Sequence, residues 1–352
     1  MTAREVSVSK EFLRSELFKG IINHAVDVCR KQKVIFRKKE LQQWGEILSR
    51  WYFGYTTSHA LPEEPLFPVD LASSPVTSII DGAVVAKATP VFYPIAYDLT
   101  QVAVIKGKKL TIDDAEEIVR MIDFESLFIS GAERLRNFSS KNTIEGFATM
   151  MYSNQVQKKL LSFYNQEDDC MTYYVEALMI RYDALSSYNN QLALPRTFMK
   201  YIEKVLNVNH ELFASPFNAY FRTFCSIFPD IELVFGSVGN FFEFNLVDGA
   251  SYVANPPFDE TVITAMATRL IDQLSRVSTT VIVSLPAWDD LEGHDLLVAS
   301  QYAKQELINI GIAYMNEITG ETVKAIKSNV IILSSDPEYQ ILHEKKIIST
   351  LV

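Results

Sequence analysis

The apolar positions of this chain keep two different periods. Up to about residue 200 they recur at helical spacing: Leu13, Leu17, Ile21, Ile22, Ala25 and Cys29 share one face, and Ile47, Leu48, Trp51 and Tyr52 continue it. A proline-richer stretch from Leu61 to Pro94 contains Thr77–Ile80 and Val84–Ala86, which read as short strands or buried turns. Helical spacing returns from Asp113 to about Arg136 and from Thr143 to about Tyr188. Gln191–Pro195 breaks the pattern and is expected to be an inter-domain hinge, with Pro195 in the first turn of a helix over Arg196–Leu206.

Beyond residue 207 the pattern alternates β and α. Strands are expected at His210–Ala214, Glu232–Phe235, Phe241–Asn245, Ser251–Ala254 and Thr280–Leu285, with closing strands at Ile308–Met315 and Val330–Leu333. Helices are expected at Phe217–Phe228, behind Asp259 or Glu260, and over His294–Leu307. The stripe Val262, Ala265, Met266, Leu270, Leu274 carries the second of these. Alternation of this kind implies a mostly parallel sheet covered on both faces, so the fold class is α/β. The expected division is a mainly helical domain over 1–195 and an α/β domain over 196–352.

The strand Ser251–Ala254 runs into Asn255-Pro256-Pro257-Phe258, the most informative residues of the chain. A polar side chain, two prolines and an aromatic suit methylation of an exocyclic amine on a nucleobase. The lone pair of such an amine is delocalised into the ring. Two acceptors, the Asn255 side-chain oxygen and the Pro256 carbonyl, can take its two N–H bonds and return the lone pair to nitrogen. The prolines hold the loop extended before substrate arrives. Phe258 offers a stacking face worth about 1–3 kcal/mol. Positioning and hydrogen bonding carry such a reaction without a general base. A loop at the carboxyl end of a strand is also where open α/β sheets bind ligands.

A methyl donor must lie beside this loop, and S-adenosylmethionine is the expected cofactor. No GxGxG follows the first strand; Phe213-Ala214-Ser215-Pro216-Phe217-Asn218 stands there instead. Ala214 and Ser215 are small enough for close approach, and Asn218 can bond the donor's amino-acid end. Ser215 as N-cap with Pro216 behind it is a compatible structural reading. Ser237, in Phe235-Gly236-Ser237-Val238-Gly239, is the group available to ribose hydroxyls. Glu243-Phe244 ends the third expected strand: either Glu243 accepts from the donor's adenine with Phe244 packing the ring, or Glu243 is an edge residue facing water.

Charge adds one feature. The chain has 352 residues and a net charge of −10, which argues against general polyanion binding. Residues 1–60 nevertheless hold 11 Lys/Arg against 6 Asp/Glu, densest around Arg37, Lys38 and Lys39. That cluster is either a solvated face or a contact for phosphates. Cys29, Cys170 and Cys225 show no CxxC, and the five histidines show no metal spacing, so neither a disulfide framework nor a metal site is expected. No signal peptide or membrane-length apolar run is evident, so an intracellular protein, nuclear or cytoplasmic, is expected.

Phe213-Ala214-Ser215-Pro216, Asn218, Tyr220-Phe221-Arg222, Phe228-Pro229-Asp230, Phe235-Gly236-Ser237 and Ala254-Asn255-Pro256-Pro257-Phe258 occur in an order and spacing that resemble the phosphorylated-CTD-interacting factor family of cap-specific adenosine methyltransferases. The resemblance is strong over about 190–335 and weak over 1–190. It implies a helical N-terminal domain and a Rossmann-like class I methyltransferase core. It implies methyl transfer from S-adenosylmethionine to N6 of the 2′-O-methyladenosine beside the 7-methylguanosine cap of an RNA. Asn255, Pro256, Pro257 and Phe258 would then take the adenine. Phe213, Ala214, Ser215, Pro216, Asn218, Ser237, Glu243 and Phe244 would line the donor site. Lys324 and Trp288 would be candidates for the capped RNA.

The chain departs from the family at Val238, where a basic residue is usual, and at Ala287, where glutamate is. Trp44 and Trp51 are seven residues apart in a helical context, so the family's WW domain is expected to be absent. The competing readings are a DNA or internal-RNA adenine methyltransferase using the same tetrad, and an RNA-binding relative without activity.

Overall fold

Two structural units divide the chain: Met1–Ala148 with Glu176–Ser187, and Thr149–Val175 with Tyr188–Val352. The computed structural model describes residues 8–71, 75–80, 83–88, 91–138, 154–166, 171–185, 191–317, 320–323 and 325–352.

The first unit is mainly helical. Its elements are α1 (Val8–Lys31), β1 (Val34–Phe36), α2 (Glu40–Tyr55), β2 (Pro75–Ile80), β3 (Ala83–Ala88), α3 (Tyr93–Val102), β4 (Ala103–Ile105), β5 (Lys108–Lys109), α4 (Ile112–Ile122) and α5 (Phe124–Arg136). The helix expected over Asp113–Arg136 is two helices, because Asp123 turns left-handed at φ 54° and accepts a hydrogen bond from the Ser126 N–H at the start of α5. α1 buries Phe18, Ile21, Ile22, Ala25, Val26 and Cys29. Trp51 stacks on Phe128 at 4.9 Å, and Phe92, Phe124 and Phe67 extend the cluster. The strands expected near 77–80 and 84–86 are the hairpin β2–β3.

Two more helices follow, α6 (Asn154–Phe163) and α7 (Met171–Ala184). α6 belongs to the second unit, not to the N-terminal half as expected, while α7 continues into the first. There Arg181 of α7 meets a buried ionic network. Its Nη2 donates to Glu11 Oε1 at 2.6 Å, and Arg14 donates to Glu11 Oε2 at 3.1 Å and to Glu64 Oε2 at 3.0 Å. The two guanidiniums overcome the desolvation of Glu11 and hold its pKa below the usual carboxylate range. A charge left unpaired in such a place costs more than the pair contributes. Arg181→Ala is therefore expected to destabilise the unit by about 3–5 kcal/mol, measured by urea unfolding.

The second unit continues with β6 (Leu192–Ala193), α8 (Arg196–Leu206), β7 (His210–Glu211), β8 (Thr223–Phe224), α9 (Pro229–Glu232), β9 (Ser251–Ala254), α10 (Glu260–Leu274), β10 (Thr280–Pro286), α11 (Glu292–Ala299), β11 (Ala303–Ile312), β12 (Met315–Asn316), β13 (Glu321–Thr322), β14 (Ile326–Ser334) and α12 (Glu344–Leu351). A six-stranded sheet has the order β11-β14-β10-β9-β7-β8. β10, β9, β7 and β8 are parallel, and β14 runs antiparallel to both β10 and β11. The sheet is mixed because the closing hairpin flanks the parallel strands. Alternate residues face opposite cores. Tyr252, Ala254, Val281 and Val283 pack with α10 and α11, whereas Val253, Ile282, Val330 and Ile332 pack with α8 and α12.

Several expected elements are replaced. Phe217–Phe228 is no helix. Phe217, Phe221, Phe224, Cys225 and Phe228 are all buried, so their spacing reflects burial around an irregular segment, not one helical stripe. Glu211 staples that segment by accepting the Tyr220 and Phe221 N–H groups at 2.6 and 2.9 Å. Glu232–Phe235 is not a strand, because α9 begins at Pro229 and a 3₁₀ turn follows. Phe241–Asn245 is not a strand either: Arg269 and Gln273 of α10 donate to the Phe244 carbonyl at 2.6 and 3.3 Å, replacing sheet partners. The helix expected over His294–Leu307 stops at Ala299, and β11 starts at Ala303, where it pairs with β14. Gln191–Pro195, expected as a hinge, contains β6, which pairs with β12; Pro195 sits at the cap of α8.

Candidate functional site

The sheet order creates the site. From β7 the chain crosses to β8 on one side, then returns to β9 on the other. This reversal opens a crevice at the carboxyl ends of β7 and β9. The register pairs His210 with Tyr252 and Glu211 with Val253, and the Leu212 N–H donates to the Val253 carbonyl at 2.8 Å. Phe213–Asn218 and Asn255–Phe258 therefore leave adjacent strands side by side. Phe213, Asn218 and Asn255 line one cleft with Glu211, Val253 and Leu192–Leu194.

Asn255 is fixed from one side only. Its Nδ2 donates to the Leu192 carbonyl at 3.0 Å, while its Oδ1 is buried with no hydrogen-bond partner among the described residues. Leaving a buried acceptor unpaired costs about 1–3 kcal/mol. The amide thus holds an acceptor ready for a donor that none of the described residues supplies. Pro256 is buried, and Asp259 caps α10 by accepting from the Val262 N–H at 3.0 Å, so both ends of the tetrad are anchored. The Phe258 ring meets Tyr314 at 5.8 Å and Trp288 at 6.3 Å, both close to perpendicular. Tyr314 is held by the hydroxyls of Ser284 and Ser328. Trp288 is exposed, which leaves aromatic surface at the rim beside Phe258.

The expected donor residues divide. Phe213 and Asn218 reach the Asn255 cleft. Ser215 is buried and committed: its hydroxyl pairs with Gln191 and accepts from the Phe217 N–H, while the Ser215 N–H donates to Asn218 Oδ1 at 2.7 Å. These bonds shape a turn around Ala214 and Pro216 in place of a capped helix. Ser237 is likewise spent on Ser226 at 2.6 Å and on the Gly239 N–H. Gly236 before it has φ 105°, and a Cβ there would lie 2.0 Å from the Arg222 carbonyl, so only glycine fits. Glu243 is exposed on a turn, which corrects the reading of a buried strand-end carboxylate. Phe244 stacks on His210 at 4.9 Å inside the core. Arg37, Lys38 and Lys39 are exposed between β1 and α2 of the first unit, and Lys324 lies outside the described residues.

Sequence reasoning missed Glu211. It is buried in the wall of the cleft, and burial pushes its pKa up to about 7 despite the two N–H bonds and the neighbouring Lys159. Only its place inside an expected strand, directly before the apolar Leu212-Phe213-Ala214, could have drawn attention to it. The raised value fixes a pH dependence. The unfolded chain loses the Glu211 proton near its ordinary value while the fold retains it, so this residue lowers stability as pH rises from about 4.5 to 7. Glu211→Gln is expected to gain stability relative to wild type across that window, up to about 3 kcal/mol, and to show no further gain above it. Paired urea titrations at pH 5, 6, 7 and 8 read this difference; a gap that does not change with pH would contradict it.

Residues 149–315 match the family described as Phosphorylated CTD interacting factor 1 WW domain. The chain is also similar to proteins named mRNA (2′-O-methyladenosine-N(6)-)-methyltransferase. The human protein is 40% identical over 101 residues and the Mus musculus protein 39% over 100; each alignment covers 28% of this chain. The chain aligns with only 14% of the length of either relative. The family's description conflicts in part with the expected absence of the WW domain. Trp44 and Trp51, on which that expectation rested, are buried in α2 and lie outside the matched residues, whose single tryptophan is Trp288. Among the described residues no helix is long and apolar enough to cross a membrane.

Proposed function

We propose that the chain is an S-adenosylmethionine-dependent RNA methyltransferase of the phosphorylated-CTD-interacting factor type, built on a Rossmann-like core. Its substrate is N6 of adenosine, specifically the 2′-O-methyladenosine next to an mRNA cap. The observation that carries the reading is the buried, unpartnered Asn255 Oδ1 at the carboxyl end of β9, in a crevice formed by strand-order reversal. The names of the human and mouse relatives support the substrate.

When bound, S-adenosylmethionine supplies an electrophilic methyl group. The chain's own residues prepare the amine to receive it. Asn255 Oδ1 accepts one N–H and the Pro256 carbonyl accepts the other, which pulls electron density back onto nitrogen. The Leu192 carbonyl keeps the Asn255 amide from turning its NH₂ toward the substrate. Phe258, braced by Tyr314 and Trp288, stacks against the base. Phe213 and Asn218 serve the donor. The other donor residues of the family pattern, Ala214, Ser215, Pro216 and Ser237, act by shaping its turns.

Asn255→Ala is expected to lower turnover at least 100-fold, since a lost preorganised hydrogen bond costs about 2.7–4 kcal/mol, while donor affinity stays within about twofold. Rates on capped RNA starting with 2′-O-methyladenosine, on the uncapped strand and on DNA, with identification of the modified nucleoside, test the substrate. Equal rates with and without the cap would refute the cap-specific part; transfer to DNA alone would favour the runner-up enzyme.

A further inference from the structure

The first unit holds the basic cluster that no step above uses, and folding enlarges it. The small sheet β1-β4-β5 is antiparallel throughout, with Val34 across from Ile105 and Ile105 across from Lys108. Val34, Phe36 and Ala103 are buried under the sheet, where Phe36 meets Trp44 at 6.3 Å. Alternation turns Lys33, Ile35 and Arg37 to the other face, and all three are exposed. Val104 lies across from Ile35, and Lys109 across from Val104. One step beyond the Val34–Ile105 pair stand Lys33 and Lys106, so Lys33, Lys106 and Lys108 crowd one end of the sheet, with Arg37 at the other. Residues 31–39 and 103–110 contain no carboxylate. None of these cations is ion-paired with a described residue, whereas Arg30 beside them is spent on Asp27 and Glu40. Like charges facing one another across strands are destabilising.

The backbone points the same way. Lys33 closes α1 at φ 60°, its N–H donating to the Arg30 carbonyl at 3.0 Å. Lys106 opens the two-residue turn between β4 and β5 at φ 50°, ahead of Gly107 at φ 75°. Left-handed positions of both kinds favour glycine or asparagine. The chain keeps lysine at both, at the two places the register brings together. Neither backbone conformation nor charge repulsion favours that choice within the fold; an anion outside it does. At about 3.3 Å per residue, the strand from Lys33 to Arg37 spans about 13 Å. A single anion meets one end of that span, and a chain of phosphates meets both. Backbone contact asks for no base reading, which suits a face whose exposed large apolar residue is Ile35 and whose described residues include no exposed aromatic ring. A membrane surface would ask for larger apolar anchors.

We propose that the exposed face of β1-β4-β5 binds the sugar–phosphate backbone of an RNA strand, independent of its sequence, through Lys33, Arg37, Lys106, Lys108 and Lys109. The face lies outside residues 149–315, which the family match covers. The assignment rests on the reading that the substrate is RNA, and it concerns nucleotides other than the one methylated.

Anisotropy titrations of the full chain over a range of salt concentrations test it with two RNAs: a short capped oligonucleotide starting with 2′-O-methyladenosine, and the same oligonucleotide extended by a uridine tract. Wild type is expected to bind the extended strand several-fold more tightly. In the double variant Lys33→Asn with Lys106→Asn that advantage is expected to shrink, and the slope of log affinity against log salt to fall by about 0.7 per lysine removed. The same variant is expected to keep a urea midpoint at or above that of wild type, because asparagine suits both left-handed positions. A firmer fold with weaker RNA binding is what a structural role for these lysines would not give. Lys33→Arg with Lys106→Arg is expected to keep the wild-type slope. Lys108→Gln with Lys109→Gln, at exposed positions, is expected to show the same loss and serves if the asparagine variant fails to fold. An unchanged slope in the neutralised variants would overturn the assignment, and so would equal wild-type affinity for the two RNAs. Binding to phosphatidylserine vesicles that the variants lose, with RNA affinity unchanged, would assign the face to a membrane and overturn it as well. Methylation of the short strand with no gain from the extension would remove this inference alone; no methylation and no binding of either RNA would remove the RNA reading with it.

Discussion

The short parallel pairing of β7 with β9 is the constraint on which the site depends. β7 is only two residues long, yet it sits between β8 and β9 and is hydrogen-bonded to both. Its register sets which residues leave the sheet together. Were the pairing shifted by one residue, Asn255 would turn to the opposite face and the tetrad would no longer meet the Phe213 turn. So short a strand is held by what surrounds it. Glu211 staples the Tyr220–Phe221 backbone, and the Cys225 N–H returns to the Glu211 carbonyl at 2.8 Å. The same burial that lets this carboxyl organise the crevice also pushes its pKa up, to about 7.

Among the described residues around this pairing most polar groups are committed, and Asn255 Oδ1 is an exception that faces the crevice. Ser215, Ser237 and Asn218 spend hydrogen bonds on their own turns, Arg269 and Gln273 on the carbonyls of the Phe241–Phe244 turn, and Ser284 and Ser328 on Tyr314. Asn255 Oδ1 is left out of this economy. A fold that satisfies its neighbours so thoroughly tolerates an unpaired acceptor where a ligand completes it. In the proposed reading the donor pocket needs no glycine-rich loop, because small residues and hydrogen-bonded turns shape the Phe213–Asn218 segment.

The tetrad and its strand were legible because Ser251–Ala254 and Asn255–Phe258 form a local pattern, apolar run then proline pair, that needs no distant partner. The helix behind it was legible for the same reason, with Asp259 as its cap and an uninterrupted stripe through Leu274. The segment 213–245 was not. Its aromatic residues are buried from several directions, so periodicity read as helix at 217–228 and as strand at 241–245. What fixes it instead are bonds to residues far along the chain, from Glu211 and from α10, and such partners leave no period in sequence. Glu211 was invisible on the same ground: it is an ordinary residue until folding surrounds it. The mixed sheet, too, depends on β14 entering between β10 and β11, a choice that alternation alone does not express.

Charge bears on the proposed reading, in which an acidic chain serves a polyanion. A net charge of −10 gives little long-range attraction for RNA as a whole, and screening removes most of it beyond about 10 Å. Selectivity in such a molecule has to come from contact. In the proposed reading, an acceptor that demands an N–H and an aromatic wall of Phe258, Tyr314 and Trp288 that demands a flat base are both short-range tests. On that reading, a strand that fails one of them is not retained by the net charge of the chain, which is −10. On this view the Val238 and Ala287 departures from the family pattern leave in place Asn255, Phe258, Tyr314 and Trp288, the groups proposed to read the base.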